Sequence, residues 1–469
     1  MKSIFEKRWP IIKNILETEG IARQHLNSYN QFIKKGMQSI VNEVGEVEIE
    51  SVSGKYKIKL GKIEIGKPRV VEHDGSENYI KPMEARLRNL TYAAPLYLEM
   101  QIVDSDPAIN RPFKVHIGNL PVMVKSDICV LHGLNDQELI DVGEDPNDPG
   151  GYFIINGSER LIIGLEDISP NKILVEKEKS GSSVVYRAIV HSSIVGFRSK
   201  VEMVIKNDNV IYVKIPILPT EISFSVIMKA LGVVKDVDIA NSVSTREDIQ
   251  EELVPTLEKV EVKTQDEAIM YIGNRLAHGQ ADEIRYKRAE QLIDMYLLPH
   301  LGRTPDTRYD KAMFLSEMAN KLIQLKLGYI TPDDRDHYGN KVIKFSGEQL
   351  ADIFRTSFKN LIRDMKYQLD RAGPKKGPSI VTAVIRPGII TDKITNAIAT
   401  GNWGRGRVGI TQLLDRTNRL STISHLRRIQ SPLSRTQPNF EARELHGTQF
   451  GRICPVETPE GRNCGLVKN

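Results

Sequence analysis

Apolar residues near the start of the chain recur at helical spacing and then switch to alternation. Over residues 1–40 the helical positions are Ile11, Ile12, Ile15 and Leu16, followed after Gly20 by Leu26, Tyr29, Phe32 and Ile33. Residues 45–72 alternate apolar and polar side chains instead, as do Leu96–Val103 and Phe113–Val124. A period of two puts alternate side chains on one face of a strand, so these segments predict β-structure.

The middle of the chain predicts more strands and then a block of helices. A turn rich in Pro and Gly at residues 146–151 precedes the apolar run Tyr152–Ile155, and residues 172–215 alternate again. From about Ile222 to Leu327 the spacing becomes helical, with the polar loop Gly302–Tyr309 as an interruption.

One long amphipathic helix is predicted from Ser346 to Ala372. Ser346 and Gln349 fit a capping box, and Gly373 with Pro374 fits a helix stop. A second helix is predicted from about Asp392 to Gly401. The mixture of helical and alternating segments predicts an α+β fold in several lobes.

Length and composition narrow the class of protein. A chain of 469 residues with 27% charged side chains fits a soluble protein of roughly two to four domains. Three cysteines are too few for a disulfide framework, and Cys454 and Cys464 lack the spacing of a zinc site. No apolar run is long enough to span a bilayer, and charges interrupt the N-terminus early. We therefore expect a cytoplasmic protein.

The net positive charge is concentrated in the last segment of the chain. Residues 401–469 hold 11 of the 65 basic residues and only 5 of the 60 acidic residues. All but one of these basic residues are Arg, whose planar fork of donors matches phosphate oxygens. The segment therefore predicts a surface that meets a polyanion.

Two segments could bind ligands, but each also has a structural explanation. Asp333, Asp334, Asp336 and His337 could hold a hard cation, yet Asp is also a common turn residue, and the pattern favours a turn in which Arg335 pairs with a neighbouring Asp. Gly401–Arg407 lacks the spacing of a phosphate-binding loop. Two alternatives stay open: an Arg/Gly loop that contacts the backbone of a nucleic acid, or an exposed connector.

The apolar positions of Thr411–Leu426 loosely predict a helix that Arg427 and Arg428 would close. Cations stabilise a helix C-terminus, so we expect one Arg to be structural and the other to face a ligand. Glu457–Asn463 is a polar loop for which the alternative is an ordinary surface turn. No nucleophile–base pair is apparent, and no carboxylate cluster near the basic segment could hold two magnesium ions, so the chain alone is not expected to be catalytic.

Several long motifs resemble the second-largest subunit of multisubunit DNA-directed RNA polymerases, and the likeness runs nearly end to end. The motifs lie at Gln24–Ile33, Glu84–Met100, Ile117–Cys129, Asp148–Arg160, Asp333–Lys341 and Gly404–Asn469. The family's subunit is about twice this long, so the chain resembles the separately encoded N-terminal half found in some archaea.

The resemblance implies a division into parts. By analogy with the family, residues 1–165 and 345–403 would form the protrusion, 166–344 the lobe, and 404–469 the fork. In bacterial relatives the region that matches Thr411–Arg428 lines the RNA path and forms the rifamycin pocket. This chain differs there at Arg416, Thr417 and Leu426, so rifamycin sensitivity is not implied.

The resemblance and the basic pattern together give a set of residues expected to contact nucleic acid or to lie close to the active centre. These are Arg405, Arg407, Gln412, Asp415, His425, Arg427, Arg428, Arg435, Arg452, Glu460 and Asn463. Arg435 would lie on a loop at the downstream edge of the melted bubble, and Glu460 and Asn463 near the RNA 3′ end.

The implied function is that of a subunit of archaeal DNA-directed RNA polymerase, a nucleotidyltransferase. The chain would form one side of the DNA cleft and position template and nascent RNA, while the largest subunit holds the catalytic Mg²⁺. Expected partners are the C-terminal half of the same subunit, the other polymerase subunits, DNA, RNA and nucleoside triphosphates. The alternative is a stand-alone nucleic-acid-binding protein without polymerase activity.

Overall fold

The structure is a computed structural model of the whole chain. It describes residues 8–14, 20–51, 54–72, 74–104, 110–180, 183–259, 261–371, 377–404 and 407–469. The chain divides into two compact units, of which the first combines residues 1–167 with 343–469 and the second comprises residues 168–342. The fold is α+β, as predicted.

The first unit begins with the predicted helices and a sheet. Residues 8–14 are helical, whereas Ile15 and Leu16 lie outside the described residues. Helix Arg23–Gln31 continues through a π-helical turn, Phe32–Gly36, into Met37–Val44. The antiparallel sheet has the strand order Glu46–Ser51, Gly54–Ile65, Ala93–Val103 and Pro112–Pro121. The period of two in the sequence is therefore confirmed.

Helices from the second half of the chain cover this sheet. Ser346–Arg371 and Gly388–Thr400 contact each other and pack on the N-terminal elements, and Pro378–Val384 lies between them in sequence. Phe354 forms an edge contact with Phe32 at 6.0 Å and stacks on Phe358 at 5.7 Å between ring centroids. The amphipathic face predicted for the long helix is thus the core of the unit. Gly373 and Pro374 lie outside the described residues.

The capping box expected between Ser346 and Gln349 is wrong. Both side chains are buried and reach other segments: the Ser346 hydroxyl donates to the His25 carbonyl at 3.3 Å, and the Gln349 amide to the Ile163 carbonyl at 2.8 Å. The Phe345 N–H instead donates to the Glu348 carboxylate at 3.2 Å. Glycine is needed at Gly347, because a Cβ there would lie 2.0 Å from the Ser28 carbonyl oxygen.

Smaller elements complete the first unit. They are hairpin Arg69–Val71 with Glu77–Tyr79, helices Pro82–Leu87 and Asp136–Asp141, strands Phe153–Ile155, Ser158–Ile162, Gly164–Ile168, Thr411–Leu413, Ile429–Gln430 and Val467–Lys468, helices Arg419–Leu426 and Phe440–Arg443, and 3₁₀ turns Gly447–Gln449 and Gly461–Asn463. Strand Lys341–Lys344, at which the chain returns from the second unit, is an edge of the sheet that contains Gly164–Ile168.

The second unit is a sheet followed by helices, as the sequence predicts. Its antiparallel strands are Ile173–Ser180, Ser183–Ile194, Phe197–Ile205, Ile211–Lys214 and Ile222–Ser223. Its α-helices are Phe224–Ala230, Asp236–Val243, Glu247–Glu251, Val254–Glu258, Gln265–Leu276, Asp282–Met295 and Arg308–Leu327, and its 3₁₀ turns are Pro299–Leu301, Pro305–Thr307 and Tyr338–Asn340. The interruption predicted at residues 302–309 is observed as far as Thr307, and its last two residues begin the last long helix.

The acidic turn in the second unit uses its side chains to hold the backbone. Asp333 exchanges two hydrogen bonds with the backbone of Val175, each of 2.8 Å. Arg335 pairs with Glu176 on the same strand, so the expected pairing with a neighbouring Asp is wrong. No helix in the described part of the chain combines the length and hydrophobicity needed to cross a bilayer.

Candidate nucleic-acid interface

The basic C-terminal segment is paired with earlier strands of the first unit at two places. Thr411–Leu413 pairs antiparallel with Ser158–Ile162. Ile429–Gln430 pairs parallel with Gly164–Ile168 and antiparallel with Val467–Lys468. The arginine-rich stretch therefore belongs to the folded body and presents its side chains from fixed backbone positions.

The Arg/Gly stretch before the first of these strands folds back on itself. The Trp403 N–H donates to the Arg407 carbonyl at 2.9 Å, and the indole N–H donates to the Thr411 hydroxyl at 2.9 Å. Arg407 is exposed and its guanidinium lies 3.2 Å from the Asp352 carboxylate on the long helix. Arg405 lies outside the described residues.

The single helix expected over Thr411–Leu426 is wrong. Thr411–Leu413 is a strand, a turn follows, and only Arg419–Leu426 is helical. In the turn the Asp415 carboxylate accepts the Thr417 N–H at 2.9 Å, and the Asn418 side chain caps the helix by accepting the Ser421 N–H at 2.8 Å. Short polar side chains that bond to nearby backbone compete with helix formation, and Asp415 and Asn418 do so here.

Gln412, Asp415 and His425 form one hydrogen-bond network around the buried His425 ring. The Asp415 N–H donates to His425 Nδ1 at 3.1 Å, which leaves Nε2 to donate to the Gln412 side-chain oxygen, also at 3.1 Å. Burial, together with the nearby Arg428 charge, lowers the pKa of His425 to about 4, so the ring is neutral at pH 7. Hydrogen bonds from Thr417 lower the pKa of the Asp415 carboxyl.

This network lies beside a cleft of about 600 Å³ that is lined by three arginines and two carboxylates. The arginines are Arg427, Arg428 and Arg452, and the acids are Asp415 and Glu457. Arg427 and Arg452 are exposed, whereas Arg428 is half-buried and its Nε has no hydrogen-bond partner among the described residues. The excess of cations makes the cleft suited to an anionic ligand.

The other predicted residues lie outside the lining of this cleft. Arg435 is exposed on the loop before helix Phe440–Arg443. Glu460 is exposed and precedes the turn Gly461–Asn463, and the side-chain oxygen of Asn463 is buried without a partner among the described residues. Of the predicted residues, the cleft lining therefore contains Asp415, Arg427, Arg428 and Arg452. It does not contain Arg407, Arg435, Glu460 or Asn463.

Arg443, which sequence reasoning missed, ties two of these loops together. Its guanidinium donates to the carbonyls of Arg462 and Cys464 at 2.9 Å and to those of Arg435 and Gln437 at 3.4 Å. Gly465 packs against it with a φ of +73°, and a Cβ there would lie 2.4 Å from the Arg443 carbonyl oxygen. No motif marks Arg443, because all of its partners are backbone carbonyls.

Arg416, also missed, supports the turn from the opposite side. Its guanidinium pairs with Asp148 at 2.8 Å and Glu159 at 2.6 Å, and lies 5.0 Å from the centre of the Tyr152 ring. Arg86 shares Glu159, at 2.8 Å, and lies 5.9 Å from the same ring centre. The arginine next to Asp415 is therefore engaged within the protein.

Two family models match the chain and cover most of it. The first, described as RNA polymerase beta subunit, matches residues 20–392. The second, described as RNA polymerase Rpb2, domain 3, matches residues 412–469. The chain belongs to the RNA polymerase beta-subunit family. The second match covers the cleft and the loops that surround it, and the resemblance stated from the sequence is confirmed.

Curated relatives match over nearly the whole chain. DNA-directed RNA polymerase subunit Rpo2 of Saccharolobus shibatae is 48% identical over 99% of this chain and 41% of its own length. DNA-directed RNA polymerase subunit Rpo2N of Methanothermobacter thermautotrophicus is 45% identical over all of this chain and 94% of its own length. Rpo2N of Methanocaldococcus jannaschii is 46% identical over 98% of the chain and 93% of the relative. The chain thus spans about two fifths of the Rpo2 relatives and nearly all of the Rpo2N relatives.

Proposed function

We propose that this chain is a subunit of an archaeal DNA-directed RNA polymerase, in which it forms one side of the DNA cleft and positions template and nascent RNA. The observation that carries the proposal is the arginine-lined cleft, which lies within the segment matched by the Rpb2 model. A polymerase must hold nucleic acid of any sequence, and contacts to phosphates and sugars do this without reading bases.

The residues of the cleft take two kinds of role in this proposal. Arg427, Arg428 and Arg452 would meet phosphate oxygens directly, because all three residues line the cleft. Gln412 and His425 would stabilise the backbone beside the cleft, since they form hydrogen bonds with each other and with nearby backbone groups. Asp415 would take both roles, because it lines the cleft and its carboxylate also accepts the Thr417 N–H of the turn.

The remaining predicted residues would meet nucleic acid outside the cleft. Arg435 is exposed and is proposed to contact DNA at the edge of the melted bubble. Glu460 and Asn463 would lie near the RNA 3′ end, and Arg405 and Arg407 would contact backbone phosphates. Arg407 already pairs with Asp352, so its contribution would be the smaller of the charged contacts.

The division into protrusion (1–165 and 345–403), lobe (166–344) and fork (404–469) is likewise proposed. Partners would be the C-terminal half of the same subunit, the largest subunit and the other polymerase subunits, with DNA, RNA and nucleoside triphosphates as ligands, in the cytoplasm. The relatives named Rpo2N support a separately encoded half. The stand-alone alternative gains no support from relatives that are named as polymerase subunits.

Catalytic Mg²⁺ is proposed to be held by the largest subunit. The described residues of this chain contain no group of three or more His, Cys, Asp or Glu side chains placed to hold a metal ion. The proposed contribution is electrostatic support and positioning.

The test is the replacement of the cleft arginines in the reconstituted polymerase. Arg427→Ala/Arg428→Ala should shorten the half-life of a halted transcription complex under salt challenge. The slope of log half-life against log salt should also become shallower, by about one for each phosphate that the variant no longer binds. Arg419→Ala is the matched control, because Arg419 is exposed at the start of the helix that precedes the two arginines but does not line the cleft. An unchanged half-life in the double variant, with normal assembly, would refute the proposed contact.

A further inference from the structure

The helix that directly precedes two of the cleft arginines ends against a distant part of the chain. Arg419–Leu426 is followed directly by Arg427 and Arg428. The last carbonyls of a helix have no partner within it and must be satisfied from outside. The Leu426 carbonyl accepts a hydrogen bond from His25 Nε2 at 2.7 Å and one from the Gln24 amide at 3.4 Å. Both donors lie about 400 residues earlier in the sequence.

His25 is fixed in the geometry that this bond needs. Its side chain is buried, its ring meets the Phe345 ring edge-on at 5.3 Å, and its own carbonyl accepts the Ser346 hydroxyl. A ring nitrogen that faces a carbonyl must carry the proton, so Nε2 is the donor. Burial lowers the pKa of His25 to about 4, so at pH 7 the ring is a neutral donor. Nδ1 has no hydrogen-bond partner among the described residues.

The other side of the same turn is held by the neighbouring strand. The Gly164 N–H donates to the Arg428 carbonyl at 3.3 Å, and the Arg428 N–H donates to the His425 carbonyl at 3.2 Å. A Cβ on Gly164 would lie 3.2 Å from Phe345 and 3.4 Å from the Arg428 carbonyl. Carbonyls on both sides of the Arg427–Arg428 link are therefore bonded to the first unit.

We propose that His25, assisted by Gln24, is a positioning residue of the cleft: it fixes the end of helix Arg419–Leu426 and thereby directs the Arg427 and Arg428 guanidinium groups into the cleft. This inference rests on the proposed function for its consequence in the polymerase. Its geometric part, the hydrogen bond that holds the Leu426 carbonyl, stands independently of that function.

The principal variant is His25→Phe in the complete reconstituted polymerase. Phe keeps a planar ring against Phe345 but has no N–H to donate. Loss of one buried hydrogen bond corresponds to roughly a three- to tenfold change in an equilibrium. We expect the half-life of the halted complex under salt challenge to fall by about that factor. His25→Gln should restore most of the half-life, because its amide nitrogen is as many bonds from the backbone as Nε2.

Tyr29→Phe is the matched control. Tyr29 lies on the same helix, is fully buried, and donates its hydroxyl to the Pro121 carbonyl at 2.7 Å, away from the cleft. Its replacement removes one buried bond to a carbonyl, as His25→Phe does. We expect it to lower thermal stability to a similar degree and to leave the half-life of the halted complex unchanged. Equal effects of the two variants on the half-life would overturn the proposal.

A combined variant separates positioning from a general structural role. If His25 acts through the two arginines, His25→Phe should change the half-life less than about twofold in the Arg427→Ala/Arg428→Ala background. Full additivity would overturn the proposal. If the arginine variant itself has no effect, the proposed function fails, and hydrogen exchange of amides 427–431 then decides the inference. His25→Phe should speed this exchange roughly tenfold, and unchanged exchange would overturn the positioning role.

If the His25→Phe chain does not assemble, His25→Asn provides the same measurement. Its amide is one bond too short to reach the Leu426 carbonyl in place of Nε2, but it stays small and polar. Faster exchange at residues 427–431 with normal exchange at the Tyr29 end of the helix is the expected result. Uniformly faster exchange throughout helix Arg23–Gln31 would contradict a local role.

Discussion

At the scale of single residues, two neutral histidines support the cleft from within the protein. His25 donates to the end of helix Arg419–Leu426, and His425 links the Asp415 backbone to Gln412. Each has a pKa lowered by burial to about 4, from an ordinary value of 6.5. Their contribution is geometric, because neither ring carries charge at pH 7.

These pKa values predict how the stability of the protein depends on pH. In the unfolded chain these rings bind a proton as the pH falls below 6.5, whereas in the folded chain they stay neutral until about pH 4. The free energy of unfolding is therefore unaffected by the protonation of these rings above pH 6.5. It decreases as the pH falls toward 4, by an amount on the order of 1–3 kcal/mol for each ring. Thermal denaturation across this range should show the loss, and His25→Gln should make it smaller. An equal loss in wild type and variant would contradict the buried neutral state.

At the scale of elements, the C-terminal strand is held by a buried ion pair. Lys468 on Val467–Lys468 lies 3.0 Å from the Glu166 carboxylate on Gly164–Ile168, and both side chains are almost fully buried. Strand Ile429–Gln430, which follows the cleft arginines directly, runs between the two. The pair therefore stabilises the position of strand Ile429–Gln430, which directly follows Arg427 and Arg428.

Removing one member of this pair should be more harmful than removing both. Lys468→Met leaves Glu166 buried without its cation, a change that typically costs about 3–5 kcal/mol. Lys468→Met/Glu166→Gln should recover much of the loss, because no uncompensated charge remains. Denaturant unfolding of the wild-type, single-variant and double-variant chains measures the difference. Single and double variants with equal stability would show that the pair does not hold the strand.

Elements with a regular period were predictable from the sequence, and those set by local side chains or distant partners were not. The amphipathic face of Ser346–Arg371 and the alternation of Gly54–Ile65 are visible without a structure, because each period matches one backbone geometry. The helix expected over Thr411–Leu426 fails at the polar turn around Asp415, where side chains bond to the backbone.

The residue types of the candidate site were predictable from the sequence, but the long-range contacts that stabilise the site were not. The excess of Arg in the last segment indicates a polyanion surface, and three of the predicted arginines do line one cleft. The contacts that hold the surrounding backbone have no local signal: Arg416 pairs with Glu159, 257 positions earlier in the sequence, and His25 bonds to Leu426, 401 positions later. Tertiary packing alone creates such pairs.

At the scale of the whole molecule, the C-terminal segment exposes large apolar side chains next to its charges. Val456 is 83% exposed, Leu420 79% and Phe440 72%. We expect the isolated chain to self-associate, and the C-terminal half of the subunit to suppress this by covering the apolar surface. Light scattering with and without that partner measures both. A monodisperse isolated chain would contradict the prediction.

Site-specific photo-crosslinking in the reconstituted polymerase tests the central claim most directly. A photoreactive residue replaces Leu420, at the cleft, or Arg435, on the loop before helix Phe440–Arg443, and Ile140 is the exposed control on helix Asp136–Asp141. On a primed DNA bubble, the first two positions are predicted to crosslink to RNA or DNA, and the control is not. Assembled, active polymerase that crosslinks from neither Leu420 nor Arg435 would contradict the account.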